Sequence, residues 1–105
     1  MSCSNTSTSQ LAILRKMAFI QGKPGQGDAL QRALAVLEGH TRKESGCLEF
    51  TFYRALTAPD DFLLVEAFQN AEALARHMRE PHTREFFAAG LTLSVRVEEL
   101  PGAPR

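Results

Sequence analysis

The sequence predicts an α+β domain with elements in the order β-α-β-β-α-β and an antiparallel sheet. Three features point to it. Apolar alternation suited to strands recurs at 11–20, 47–55, 62–68 and 91–100. Helical spacing occupies the intervals between the first and second and between the third and fourth of these. Turn formers rich in Gly, Pro, Asn and Asp separate them all.

Leu11 to Ile20, LAILRKMAFI, is apolar on both faces and reads as the first strand. GKPGQG ends it, because Pro24 cannot continue strand pairing. Asp28 then suits the positive end of a helix dipole. Leu30, Ala33, Leu34 and Leu37 form one apolar stripe, with Gln31, Arg32, Glu38 and Arg42 on the outer face. Gly46 is expected to stop this helix in a left-handed conformation.

Cys47 to Ala55 is the second strand, with Leu48, Phe50 and Phe52 on one face and Cys47, Glu49, Thr51 and Tyr53 on the other. LTAPDD is a turn. Phe62 to Phe68 is the third strand, placing Phe62, Leu64, Glu66 and Phe68 together. Asn70 is the expected cap of the second helix, and Glu72 favours its first turn. That helix runs to about Glu80. Pro81 restarts a short one through Ala89, closed by Gly90. Leu91 to Leu100 alternates as the last strand.

This order is the split-βαβ, ferredoxin-like arrangement. Its helices cover one face of the sheet only. Strands one and three are nonetheless apolar on both faces, so a second copy of the chain is the expected cover. A homodimer follows, with a small cleft between sheet and helices.

At 105 residues the chain reads as one domain over residues 11–100. Polar, disordered tails are expected at 1–10 and 101–105. The opening MSCSNTSTSQ lacks the basic start and apolar core of a signal peptide. Twelve basic and twelve acidic residues cancel, so no charge field favours nucleic acid or an anionic membrane. Apolar runs fall short of the roughly 20 residues of a membrane span. Cys3 and Cys47 make no disulfide framework, and a reducing cytoplasm is expected. Neither metal-ligand spacing nor a dinucleotide fingerprint occurs, so no metal and no cofactor is expected.

Candidate chemistry lies in 44–87. Glu66 is a carboxylate in an otherwise apolar strand: either an ion-paired strand end or a cleft group that holds a hydroxyl or orients a histidine. His77, three residues beyond Leu74, lies near the sheet-facing stripe and can serve as a base, since histidine titrates near ~6.5. His82, beyond Pro81, is a backbone partner at the helix junction or a substrate contact. Tyr53 donates to an oxyanion or packs at a dimer face. Phe50 and Phe68 read as walls of an aromatic pocket. Cys47, with no neighbouring base, reads as structural.

Glu66, Phe68, His77 and His82 stand as E-x-F-x8-H-x4-H, preceded by KPG at 23–25 and ESGCLEF at 44–50. Over Leu14–Leu100 this resembles the antibiotic biosynthesis monooxygenase (ABM) family, within the dimeric ferredoxin-like α/β barrel superfamily. ESGCLEF is similar to its E-x-G-C-L-x-Y segment, with Phe50 where tyrosine is common. The later run is similar to its E-x-W-x5-L-x2-H-x4-H-x3-F signature, with Phe68 where tryptophan is common. The resemblance implies a dimer that oxygenates a small phenol or quinol with dioxygen, without metal or flavin. His77 would deprotonate a hydroxyl with help from Glu66, while Phe50, Phe68, Tyr53 and His82 would contact substrate. A non-catalytic binder of small aromatics and a small-molecule isomerase are the alternatives. The haem-degrading branch has asparagine, tryptophan and histidine where Ala18, His77 and Phe87 stand here, which disfavours haem breakdown. The lack of a phosphate-cradling glycine loop weakens the isomerase alternative.

Overall fold

The computed structural model of the chain describes residues 12–101. The tail expected at 1–10, Cys3 within it, and 102–105 lie outside the described residues. The elements are β1 (Leu14–Gly22), α1 (Gly27–Thr41), β2 (Cys47–Arg54), β3 (Asp61–Phe68), α2 (Ala71–Arg79), α3 (Pro81–Ala88) and β4 (Thr92–Leu100). The sheet has the order β2-β3-β1-β4, antiparallel throughout, which is the ferredoxin-like topology. Within one chain it stays open, with β2 and β4 at its edges, and does not close into a barrel.

Strand β1 begins at Leu14, and the expected first residue, Leu11, lies outside the described residues. Its ladder with β3 opens at Leu14 opposite Phe68, the last residue of β3. The register stacks Ala18 and Ile20 beside Leu64 and Phe62 on the face covered by the helices. Leu30, Leu34 and Leu37 of α1 descend onto that face and are buried, as their spacing predicts. Phe50 and Phe68 are fully buried there, each worth about 1.5–3 kcal/mol of apolar transfer.

One expectation about α1 needs correction. The helix ends at Thr41 with Arg42 as its cap, so Gly46 does not stop it. Among the described residues only Gly25 and Gly90 have positive φ. Gly46 is required by crowding instead: a Cβ there would sit 2.4 Å from the Cβ of Ala73 on α2. Glu38 and Arg42, on the outer face of the helix, also bond to β2. Phe52 N donates to Glu38 Oε1 at 3.0 Å and Arg42 Nε donates to Phe50 O at 3.0 Å. These side chains satisfy backbone groups on the outer edge of β2, which has no neighbouring strand.

Strand β2 also breaks its simple alternation. The register shifts between Cys47 and Glu49, so Cys47 packs against the core while Leu48 is exposed. A bulge of this kind turns one side chain to the opposite face. Further along, Asn70 Oδ1 accepts from Ala73 N at 2.9 Å and fixes the start of α2 as expected. Pro81 opens α3, and Gly90 (φ 65°) closes it.

Candidate functional site

A cavity of about 120 Å³ lies between the sheet and α1, α2 and α3. Its lining includes Phe50, Phe52, Leu64, Glu66, His77 and Phe86. Met78, Phe87, Val95 and Val97 form an apolar, solvent-exposed part of the rim.

Strand alternation delivers Glu66 to this space, cross-strand from Phe50 on one side and Lys16 on the other. It is 8% exposed. Burial pushes its carboxyl up from 4.5 to about 7, although the Lys16 ammonium pulls it back in part. Glu66 is therefore a carboxyl able to hold or release a proton near neutrality.

His77 arrives from above. It follows Ala73 by one helical turn on the buried side of α2 and is 4% exposed. Its ring centroid lies 5.2 Å from those of Phe50 and Phe68. Its Nδ1 stands 2.9 Å from Glu44 Oε2 and 3.4 Å from Thr83 Oγ1. The carboxylate partner of His77 is thus Glu44, and the expected pairing with Glu66 is not what holds the ring.

Glu44 is the residue that sequence reasoning missed. It lies in the turn between α1 and β2, where Glu44 N donates to Thr41 O and Cys47 N donates to Glu44 O. Its Oε2 also lies 2.6 Å from His82 Nε2. Only the glutamate heading ESGCLEF could have drawn attention to it; its partners are 33 and 38 residues away.

The other expected site residues divide. Phe50 lines the cavity, as expected. Phe68 does not; it packs against the ring of His77, centroids 5.2 Å apart. Tyr53 pairs with Leu63 on the face away from the helices, is half exposed, and lies outside the cavity lining. His82 also lies outside that lining, bonded to Glu44 rather than to backbone, with its ring stacked on His40. Phe52, Phe86 and Phe87 supply the aromatic surface that Phe68 and Tyr53 do not. Burial, then the Glu44 carboxylate, pushes the Cys47 thiol up, which keeps it protonated and supports its structural reading.

Spacing in the sequence gave no sign of a metal centre, yet folding gathers ligand-capable atoms of Glu44, His77 and His82 within 4.8 Å of one another. Two imidazoles and a carboxylate are a donor set suited to zinc or iron(II). Both ring nitrogens approach one oxygen at hydrogen-bond distance, the arrangement of a carboxylate accepting from two imidazole N–H groups.

The model of the antibiotic biosynthesis monooxygenase family matches residues 13–89, which span all three helices and the first three strands. The chain belongs to this family. Structures of similar fold include PA3566 from Pseudomonas aeruginosa, 28% identical with a TM-score of 0.81, covering 87% of this chain and 94% of that one. SO0527 from Shewanella oneidensis is 27% identical with a TM-score of 0.78, over 86% of this chain and 90% of its own. An antibiotic biosynthesis monooxygenase of known structure shares the fold at a TM-score of 0.79 and 21% identity, covering 87% and 99% of the two chains. The uncharacterized protein sll1783 of Synechocystis is 37% identical over 46 residues, 44% of this chain. The match covers 31% of that relative's length. Among the described residues of this ABM protein, no helix is long and apolar enough to cross a membrane.

Proposed function

We propose that this ABM protein is a monooxygenase of small, single-ring phenols or quinols in which the substrate itself supplies the electrons. The observation that carries the reading is that His77 and the near-neutral carboxyl of Glu66 line one apolar cavity. Its volume of about 120 Å³ suits one ring: an apolar protein cavity of ~150 Å³ takes benzene. The cavity lining contains no lysine or arginine, so a phosphorylated sugar would find no countercharge there.

In this mechanism His77 Nε2 removes the phenolic proton and leaves an electron-rich phenolate. Dioxygen adds to the ring, and the imidazolium returns its proton to the peroxide. Loss of the ring hydrogen as a proton then accompanies O–O cleavage. One oxygen atom stays on the ring and the other leaves as water, so a phenol becomes a quinone with no outside reductant. In this reading Glu66, carrying its proton, donates it to the departing oxygen. Phe50, Phe52 and Phe86 hold the ring and keep water away.

The same reading includes a homodimer. Met17, Phe19, Leu63 and Val65 lie on the face of the sheet that no helix covers and are only half buried. A second sheet is the cover we propose for them.

Oxygen uptake across a panel of single-ring phenols and quinols tests the activity. His77→Ala is expected to lower turnover by roughly 10²–10⁴-fold, the usual size of a general-base effect. Binding of such aromatics without oxygen uptake would instead make the protein a non-catalytic binder.

A further inference from the structure

The sequence contains three histidines; two of them bond Glu44 and the third stacks on one of these. His77 Nδ1 and His82 Nε2 converge on its Oε2, at 2.9 and 2.6 Å. His40 stacks on the outer side of His82, ring centroids 5.4 Å apart and planes 15° apart. The two partners of the shared oxygen come from α2 and α3, and Glu44 itself from the turn before β2.

An ionised carboxylate has only acceptor sites, so each nitrogen facing it must carry a hydrogen. A neutral imidazole has one such hydrogen. His77 is then fixed as the Nδ1–H form, and its basic lone pair lies on Nε2. That atom has no protein partner among the described residues and is the nitrogen left for the cavity. The opposite tautomer would set a nitrogen lone pair against the carboxylate. With the Glu44 side chain 13% exposed, little water is at hand to relieve that repulsion. His82 completes the arrangement by donating to the same oxygen, so the carboxylate is itself held in place.

We infer that Glu44 is a positioning residue for His77, and that His82 serves it as the second donor rather than touching substrate. This rests on His77 acting at the cavity. Glu44 selects the tautomer that makes Nε2 a base and lies ready to stabilise the imidazolium when a proton is taken. The pattern resembles the acid of a catalytic triad, which orients a histidine without reacting. It also explains why the buried His77 is not orphaned and why α3 restarts so soon after α2: Pro81 brings His82 within reach of the same carboxylate.

The test needs no substrate. Long-range ¹H–¹⁵N spectra of the histidine rings in ¹⁵N-labelled protein distinguish bare from protonated nitrogens. In the neutral state His77 is expected as a single Nδ1–H form and His82 as a single Nε2–H form. Glu44→Leu removes the acceptor and should leave His77 a mixture of tautomers, with the backbone amide spectrum unchanged outside the cluster. Glu44→Gln keeps an acceptor but loses the charge; on any substrate found by oxygen uptake it should lower kcat by roughly 10²-fold or more with little change in KM. An Nε2–H form of His77 in the unaltered protein would overturn the inference, and that spectrum decides even if a variant fails to fold. Titration with Zn²⁺ alone supplies a second check. Uptake of one ion per chain with loss of both ring N–H signals would make the cluster a metal site instead. Because the tautomer is read without turnover, its failure is separable from failure of the oxygenase reading.

Discussion

Replacing Glu66 by glutamine should change how stability depends on pH more than any single polar substitution elsewhere in the sheet. Glu66 is 8% exposed and its carboxyl is pushed up from 4.5 to about 7, chiefly by burial. In the unfolded chain it gives up its proton near 4.5; in the fold it keeps that proton until about pH 7. Between those values the folded state binds more protons, so raising the pH favours unfolding. At about 1.4 kcal/mol per pH unit, ionising Glu66 inside the fold costs about 3 kcal/mol by the upper end of the window. Full stability from this group is present below about pH 4.5 and is gone above about pH 7. Glu66→Gln has nearly the same shape and cannot ionise. Its stability should match the unaltered protein near pH 4.5 and exceed it by about 3 kcal/mol at pH 8. Urea unfolding at a series of pH values measures this, with protein concentration held constant because association would add to stability. Parallel curves from pH 5 to 8 would show that Glu66 is not desolvated, and its role as a proton-holding cavity group would fall with them.

Light scattering at micromolar concentration should give about twice the chain mass of 11.6 kDa; a folded 11.6 kDa particle would remove the case for a second sheet over Met17, Phe19, Leu63 and Val65. Gly46→Ala should lower stability by about 1–3 kcal/mol, because its Cβ would stand 2.4 Å from that of Ala73. An unchanged melting temperature would mean that β2 and α2 are less closely apposed than the structure has them.

Local chemistry in the sequence determined the elements and their order. Asn70 reads as a cap because its side chain can bond an amide three residues on, and Ala73 N does donate to it. Pro81 and Gly90 punctuate the chain by their own backbone limits. The alternation of β3 and the three-residue step from Leu74 to His77 were enough to send Glu66 and His77 to one side of the sheet. Pairing at long range was not legible. The bulge after Cys47 reverses Cys47 and Leu48, and only the register with β3 reveals it. Tyr53 and Phe68 look as well suited to a pocket as Phe50. Alternation already sets Tyr53 on the face opposite Phe50; whether Phe50 or Phe68 reaches the cavity is set by what packs above each. Glu44 shows the division most sharply. Its nearest chemical neighbours lie 33 and 38 residues ahead, on helices whose approach depends on the whole sheet being in place. A sequence fixes what each residue can donate, accept or bury within a turn of itself. Which residues share one oxygen depends on distances that exist only once the chain has closed on itself.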